Sequence, residues 1–536
     1  MSKKLLILFV SLVLALSLAV SCKPKEAPKT EAPKAASEAP KKEEPKKEEP
    51  KKEEPKKEEP KVVDKPVVIG IGAEPNNLDP QSLNDGTMRY ATGNIFETLV
   101  QQPANSYDVK PLLATRWENT GENTWRFYLR EGVKFHNGEP FNADAVVFSV
   151  QRIVDPAYES GLMTLLKTVK SAKAEGNLVV DIITDGKDPI LPARLAWLPI
   201  VAPKHVQAVG KDVVDKPVGT GPYKFVDWNR GSQINLERFD GYWGEKPAVG
   251  KVQIKFVKED ATRLLALRNG EIHIATNMLP EYVAQLPAVK SISGLEFPMI
   301  RIGAEKPALK DKRVRQAMNY AVDKDTLRDT LYGGFAKVSP CQQAKLEYPW
   351  ANPTLRPYPF DPEKSKQLLK DAGYKGQQLE LIGERGRWLK DAELVEAVGA
   401  MLNDAGFKVK VSIIEFSKWL DTYFMTKEPA DMIFVAYSND IGDADLPFSG
   451  NIASTGRSST YLKNIPDLDQ AIKDNRVEMD INKRNQTYWK LWERICDDPP
   501  WIFLLNLTDI YGTNVDLNWD PRQDQMILVK DIGWKK

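Results

Sequence analysis

The chain has 536 residues, a formal net charge of +1 and 42% hydrophobic residues. Such a balanced charge argues against a nucleic-acid binder, whose surface would be basic, so we expect no nucleic acid among the partners. Three His and three Cys exclude a Cys/His zinc module, and no nucleophile–base arrangement is visible, so we expect no metal, no cofactor and no catalytic residues.

The N-terminus has the pattern of an export signal. Two lysines precede an apolar stretch over 5–20, whose length of about 16 residues is short of the roughly 20 that a membrane-spanning helix needs. Small residues then lead into Cys22, which resembles the processing site of bacterial lipoproteins. We therefore expect 1–22 to be a lipoprotein signal and Cys22 to be lipidated. The alternative is a plain cleaved signal with an incidental cysteine.

A charged, proline-rich segment follows over 23–65. The motif KKEEP occurs four times in succession over 41–60, and the segment contains eight Pro and no aromatic residue. Proline at every fifth position prevents a long helix, and too few apolar residues are present to offset the entropy of ordering. This composition predicts a disordered tether. Binding of a partner is the alternative role.

The predicted elements of the folded body begin near residue 66. Strands are predicted at 67–71 and 125–129, and a helix at 143–154 with Asn142 as its N-cap. Further along come a helix from 260 to 269 between strands at 252–257 and 271–275, and helices starting at Asp311 and at Asp361-Pro362.

Residues 378–445 have the pattern of a β-α-β unit. A strand is predicted over 378–382, a helix over 391–405 and an alternating strand over 407–413, so the two strands should be parallel with a right-handed crossover. A further strand is predicted over 431–437.

Two loops of opposite charge follow strands of this unit. The loop 383–390 contains two Arg and one Trp, and the loop 438–446 contains three Asp. Ligands of open α/β sheets bind at the carboxyl ends of the strands, and loops of opposite charge suit a ligand with both an amine and a carboxylate. Two solvated surface loops are the alternative. The D-x-x-D-x-D spacing of the aspartates misses the calcium-loop pattern and leaves only a chance ion site.

Cys341 and Cys496 are the thiols that remain beside Cys22. In an oxidising compartment they can form a disulfide, and two unpaired buried cysteines fit the sequence equally well.

Short blocks in a fixed order carry a family resemblance across 66–536. They are NLDP at 77–80, PLLA at 111–114, YLREGVKFHNG at 128–138 continuing to NADAV at 142–146, VGTGPY at 218–223, YW at 242–243, VRQA at 314–317 and YPFDP at 358–362. Together they resemble the large extracytoplasmic solute-binding proteins of ABC importers that carry dipeptides, oligopeptides and nickel.

The resemblance implies an α/β, two-lobed periplasmic-binding-protein-like fold of type II, large class, with an extra domain inserted in the first lobe. The first lobe is then expected over 66–107, 206–297 and 504–536, the inserted domain over 108–205 and the second lobe over 298–503.

The resemblance also implies part of a ligand site. The run YSNDIGDAD at 437–445 matches the W-x-x-D-x-x-D-P-D run of peptide-binding members, with Tyr437 in place of Trp, and it places Asp440 at the Asp that holds the ligand amino group. The Arg that holds the carboxylate in dipeptide binders falls at Arg385 or Arg387.

Two aromatic residues beside these charges, Tyr437 and Trp388, are candidates for the walls of the site. A place in the core is the alternative for both.

The resemblance finally implies a role in transport. We expect a monomeric, lipid-anchored, extracytoplasmic protein, in the periplasmic space or at the cell surface, that captures peptides and delivers them to an ABC permease. Another solute, such as an opine-like conjugate or a nickel–chelator complex, is the alternative within the family. A surface adhesin or cell-wall enzyme on the same scaffold is the alternative from another class, because fold does not determine function.

Overall fold

The structure of the protein, a computed structural model, describes residues 65–83, 85–425, 430–456 and 467–535. The predicted signal with Cys22, and all of the predicted tether except Lys65, lie outside the described residues.

The described part of the chain is mixed α/β, and its strands are short. They are β1 Val67–Ile71, β2 Val100–Gln101, β3 Lys110–Pro111, β4 Ala114–Gly121, β5 Thr124–Leu129, β6 Val169–Gly176, β7 Val179–Thr184, β8 Tyr223–Asn229, β9 Gln233–Arg238, β10 Lys251–Phe256, β11 Ile274–Ala275, β12 Ala288–Ser293, β13 Glu296–Ile302, β14 Ala336–Val338, β15 Gln378–Arg385, β16 Lys408–Glu415, β17 Met432–Ser438, β18 Trp501–Phe503, β19 Leu505–Thr513, β20 Leu517–Asn518 and β21 Gly533–Trp534.

The α-helices lie between these strands. They are α1 Gly86–Ile95, α2 Ala143–Val154, α3 Met163–Leu166, α4 Leu191–Leu195, α5 Pro203–Val209, α6 Asp260–Arg268, α7 Lys312–Ala321, α8 Lys324–Leu331, α9 Pro362–Asp371, α10 Asp391–Asp404, α11 Phe416–Trp419, α12 Asp445–Pro447, α13 Leu468–Arg476 and α14 Ile481–Asp497. Single 3₁₀ turns and two π-helical turns, Leu420–Met425 and Phe448–Ile452, complete the helical segments of the described residues.

Three larger sheets organise the described body. The largest has the order β12-β19-β11-β1-β10-β9-β8, and β14 also pairs with β19. The second has the order β16-β15-β17-β13-β18, and the third is the antiparallel sheet β4-β5-β7-β6. The buried aliphatic and aromatic side chains form several clusters, one of which joins the five-stranded sheet to the start of β19, so the body contains several packed layers.

Some strand pairings join segments that the expected domain boundaries separate. β2, before the expected boundary at 108, pairs with β3, which follows it. The short strand β14 lies within 298–503, the expected second lobe, yet it pairs with β19 of the largest sheet. β19 itself begins at Leu505, next to the expected crossing near 504. The domain boundaries themselves stay predictions.

The predicted β-α-β unit is present, with longer strands than the sequence indicates. β15 and β16 are parallel neighbours, and α10 connects them. β15 continues three residues beyond the predicted end at 382, because its pairing with β16 extends to Arg385 opposite Glu415. Gly383 permits this packing, since a Cβ there would stand 2.6 Å from the Ile413 side chain and 2.8 Å from that of Val395.

Helix starts follow the predicted caps. Asn142 accepts a hydrogen bond from the Ala145 amide at the start of α2, and Asp311 and Asp361 cap α7 and α9 in the same way. These caps satisfy amide groups that the first helical turn leaves without intrahelical partners.

Cys341 and Cys496 form a disulfide with their Cα atoms 5.5 Å apart. The bond joins positions 155 residues apart in the chain and so closes a long loop. The pairing that the sequence left open is therefore present in the structure. Within the described ranges, no helix is both long and apolar enough to cross a membrane.

Candidate ligand-binding site

A cavity of about 550 Å³ lies between elements of the largest sheet and elements of the five-stranded sheet. Its lining comes from the start of α1, the first residue of β13, the loop before α10, the carboxyl end of β17 and the C-terminal segment 523–525. β15 and β17 are parallel, so their carboxyl ends point to the same edge of the sheet. The two loops that the sequence singled out therefore meet at one edge of the sheet, where ligands of open α/β sheets bind.

Asp440 lines this cavity, and hydrogen bonds fix both its side chain and its backbone carbonyl. The Ser438 hydroxyl donates to Asp440 Oδ1 at 2.5 Å, and the Trp197 indole Nε1 donates to the Asp440 backbone carbonyl at 3.0 Å. Only 8% of Asp440 is exposed. A carboxylate fixed in this way is a preorganised partner for an ammonium group.

The other two aspartates of the loop 438–446 have structural partners. Both oxygens of Asp443 accept from the guanidinium of Arg484 at 2.6 Å, and Asp445 is buried against Arg194 and Lys167. Neither aspartate lines the cavity. Among the described residues no group of three or more His, Cys, Asp or Glu is placed to hold a metal ion.

The environment of Asp445 keeps it ionised. Burial opposes the charge, but Arg194, Lys167 and Arg476 outweigh burial and hold the pKa of Asp445 well below its ordinary value.

The two candidate arginines have different positions. Arg387 lines the cavity, and its Nη2 atom is 3.8 Å from Oε1 of Glu296. Arg385, at the end of β15, is not among the residues that line the cavity, and both arginines are exposed. The geometry therefore favours Arg387 for a contact with a ligand carboxylate.

The cavity has more acidic than basic groups. Asp85, Glu296, Asp440 and Asp524 line it, against two guanidinium groups. Burial raises the pKa of Glu296, and the charge of Asp440 raises it further, while Arg387 opposes the shift. Asp524 is already paired with Arg522 at 2.5 Å, so the remaining charges are closer to balance and suit a ligand that carries both an ammonium and a carboxylate.

Tyr437 and Trp388 are both wall and packing residues. Trp388 packs edge-on against Phe416, Trp419 and Phe434, with ring centroids 5.6–6.0 Å apart, and it also lines the cavity. Tyr437 lines the cavity as well, and its buried hydroxyl has no hydrogen-bond partner among the described residues. Such a hydroxyl offers a hydrogen bond to a ligand.

A buried carboxylate shapes the loop that presents Arg387. The side-chain Oδ2 of Asp391, the first residue of α10, accepts the backbone N–H groups of Gly386, Arg387 and Trp388, each at 3.1 Å. Lys390, between loop and helix, has the left-handed φ of 56° that this tight connection requires. The position of Arg387 thus depends on backbone bonds to Asp391.

Glu384 lies fully buried beside Asp391. Burial and the charge of Asp391 raise the pKa of Glu384 to about 8, and Arg387 only partly opposes this. Glu384 is therefore protonated in the folded state at neutral pH, whereas in the unfolded chain its pKa is near 4.5. Since the folded state then binds one more proton, the free energy of unfolding should fall as pH rises from about 4.5 to about 8.

We expect Glu384→Gln to remove this pH dependence. At pH 9 the parent must bury an ionised Glu384, and each unit of pKa shift corresponds to about 1.4 kcal/mol of lost stability. The variant buries a neutral amide, which keeps part of the desolvation cost, so it should be more stable than the parent by on the order of 2 kcal/mol. At pH 5 the two proteins should have nearly the same stability. Urea unfolding at both pH values measures the difference, and an equal difference at pH 5 and pH 9 would contradict the assignment.

Several lining residues were absent from the sequence prediction. Arg89 and the segment 523–525 belong to the largest sheet's side of the cavity, and the prediction considered only the opposite side. For Asp85 a signal was present, since Asp-Gly-Thr is a helix start and Asp85 caps α1 through the Thr87 amide at 2.8 Å. For 523–525 no periodicity or motif indicates a site.

Comparison with known proteins gives the same family throughout. A family model described as bacterial extracellular solute-binding proteins, family 5 Middle, matches residues 108–459. The dipeptide-binding protein of Escherichia coli (strain K12) is 29% identical over 483 residues, which cover 81% of this chain and 88% of that protein.

Solved structures agree with the sequence comparison. The DppA periplasmic binding protein of Helicobacter pylori in complex with peptide STSA superposes with a TM-score of 0.73 at 25% identity, covering 89% of this chain and 99% of that chain. NikA of Brucella suis in complex with Fe(III)-EDTA superposes with a TM-score of 0.79 at 26% identity, covering 88% and 100%. The expected α/β type II periplasmic-binding-protein fold is confirmed, and the chain belongs to family 5 of the bacterial extracellular solute-binding proteins.

Proposed function

We propose that this protein captures extracytoplasmic peptides with a free amino terminus and delivers them to an ABC permease. The observation that carries the proposal is that Asp440 and Arg387, on two loops at one sheet edge, line the same cavity. In this assignment Asp440 binds the ligand ammonium and Arg387 binds a carboxylate. An Arg guanidinium matches a carboxylate with two parallel hydrogen bonds.

The walls of the cavity suit a peptide between these charges. Trp388 and Tyr437 provide aromatic surface, and the Tyr437 hydroxyl offers a hydrogen bond to the peptide backbone. The names of similar proteins support the ligand class, since one is a dipeptide-binding protein and another was solved with peptide STSA.

A solute other than a peptide is the second candidate. NikA of Brucella suis, at similar identity, was solved with Fe(III)-EDTA. A polycarboxylate chelate fits this cavity poorly, because the buried carboxylate of Asp440 lines it. Like charges brought together in a desolvated site cost several kcal/mol, so a ligand with an ammonium group fits better.

Mass spectrometry of the ligand released from protein purified without denaturation tests the proposal. We expect peptides with free amino termini, and calorimetric titration of the emptied protein should then show binding of the same peptides. Recovery of an opine-like conjugate or a metal–chelator complex, with no measurable peptide binding, would contradict the peptide assignment.

The location we propose is outside the cytoplasm, with the monomeric protein held at a membrane by a lipid on Cys22. Family membership supports an extracytoplasmic location. The disulfide between Cys341 and Cys496 also fits an oxidising compartment.

We expect Cys22→Ala to release the protein from the membrane fraction without affecting ligand binding. The substitution removes the expected lipidation site, and it precedes in sequence every residue that lines the cavity. Fractionation after expression in a bacterial host measures the change, with Cys22→Ser as a second variant. Continued detergent-dependent extraction of both variants would contradict the lipid anchor.

A further inference from the structure

The guanidinium of Arg387 already has an anionic neighbour inside the candidate ligand-binding cavity. Its Nη2 atom lies 3.8 Å from Oε1 of Glu296, and both residues line the cavity. The Arg387 side chain is 51% exposed and the Glu296 side chain 21%. An ion pair that is open to water on one side is weak enough to be exchanged, so a ligand carboxylate can take the place of Glu296.

Glu296 is fixed in the cavity by its backbone. It is the first residue of β13, where it lies opposite Ser438 of β17. Its carbonyl oxygen accepts a hydrogen bond from Asn506 Nδ2 at 3.0 Å. Neither contact uses the Glu296 carboxylate, so Glu296→Gln should fold and keep its side chain at the same place.

Arg387 does not need Glu296 to keep its position. Its backbone amide donates to Asp391 Oδ2 at 3.1 Å, and its guanidinium lies 5.5 Å from the centroid of the Trp388 ring. The main effect of Glu296 is therefore a negative charge beside the point where a ligand carboxylate would bind. Two carboxylates at one guanidinium share its donors and repel each other.

The effect of this negative charge depends on the length of the peptide. With the ammonium at Asp440, the peptide carboxylate reaches Arg387 only when the peptide length matches the span between these two residues. A longer peptide, or one with an amidated carboxyl terminus, places a neutral amide near Arg387 and does not compete with Glu296. Glu296 therefore lowers the affinity for the length-matched peptide in particular.

We propose that Glu296 competes with the ligand carboxylate for Arg387 and thereby limits the preference of the protein for peptides of one length. The proposal rests on the proposed function, because it requires that Asp440 binds the amino terminus and Arg387 the carboxylate. Glu296 determines specificity by acting through Arg387.

The same loop provides a matched control. Lys390 Nζ pairs with Oε1 of Glu281 at 2.8 Å, and neither residue is among those that line the cavity. Glu281→Gln thus removes a carboxylate that pairs with a cation of this loop, but it leaves the charges that line the cavity unchanged.

The experiment titrates the parent, Glu296→Gln and Glu281→Gln with alanine peptides of two to five residues, each as the free acid and as the carboxyl-terminal amide. The measured quantity is the affinity for the acid divided by the affinity for the amide, because this ratio cancels any effect at the ammonium end. At the length with the highest ratio in the parent, Glu296→Gln should raise the ratio about three- to tenfold, since an ion pair and a repulsion no longer oppose the ligand carboxylate. Glu281→Gln should leave it within about twofold.

A double variant tests whether Glu296 acts through Arg387. In the Arg387→Gln background, Glu296→Gln should leave the ratio within about twofold, because no guanidinium remains to compete for. A rise in the ratio that persists in this background overturns the proposal.

The other outcomes separate this proposal from peptide capture itself. An unchanged or lower ratio in Glu296→Gln, or an equal rise in Glu281→Gln, overturns the competition and leaves peptide capture standing. Absence of binding of every peptide by the parent overturns both. If Glu296→Gln does not fold, Glu296→Ala removes the same carboxylate, and the same results decide.

Discussion

Asp440→Asn should weaken binding of peptides with a free amino terminus by about 30- to several-thousand-fold, because truncating a buried charged partner typically costs about 2–5 kcal/mol. The carboxylate faces the cavity and is only 8% exposed, so water screens its contact with an ammonium group poorly. Asparagine keeps the shape and leaves an oxygen to accept the 2.5 Å hydrogen bond from the Ser438 hydroxyl. The loop should therefore stay folded, and calorimetric titration isolates the loss of charge.

Chemically modified peptides give the controls for this substitution. An N-acetylated peptide lacks the ammonium, so it should bind the parent weakly and distinguish little between parent and Asp440→Asn. At the other end, Arg387→Gln should weaken binding of a peptide with a free carboxylate, and Arg385→Gln should have little effect because Arg385 does not line the cavity. Equal affinity of parent and Asp440→Asn for the free peptide would remove Asp440 from the site.

Much of this arrangement follows from the sequence, because strand order and charge are both local signals. The alternating residues of β16 and the buried residues of β17 identify the strands, and the β-α-β connection makes β15 and β16 parallel. The structure adds that β17 is parallel to β15, and this places the loops after both strands at one edge of the sheet. The boundary of β15 was missed, since cross-strand pairing extends it to Arg385.

The roles of individual charges did not follow from the sequence. Asp440, Asp443 and Asp445 lie within six residues and look alike, yet only Asp440 lines the cavity. Their difference depends on partners far away in the chain, Arg484 for Asp443 and Arg194 for Asp445. Likewise, alternation cannot separate Arg385 from Arg387. The Asp391 carboxylate accepts hydrogen bonds from the backbone amides of Gly386 and Arg387, and Lys390 has a left-handed φ. A periodic sequence pattern does not encode this local geometry.

Asp445→Asn should destabilise the folded protein by about 3 kcal/mol, because it leaves three cations, Arg194, Lys167 and Arg476, near a neutral amide in a buried site. Asp445 is fully buried and contacts Arg194, which is 1% exposed, and Lys167, both from the expected inserted domain. Loss of a buried partner typically costs about 3–5 kcal/mol, and the lower value applies here because Arg194 keeps its 2.8 Å contact with Asp188. The urea midpoint of unfolding measures the effect.

Asp185→Asn is the matched control for this substitution. Asp185 pairs with Lys170 at 2.8 Å in the same region of the chain, but both side chains are more than half exposed, so the same change should have little effect. The pH dependence gives a second check. Because the folded-state pKa of Asp445 lies well below its ordinary 3.8, the parent keeps this stabilisation above about pH 4 and loses it as the pH falls further. The difference in unfolding free energy between parent and Asp445→Asn should therefore be constant from pH 5 to pH 8 and shrink in acid. A difference that grows in acid would show that other groups stabilise this region.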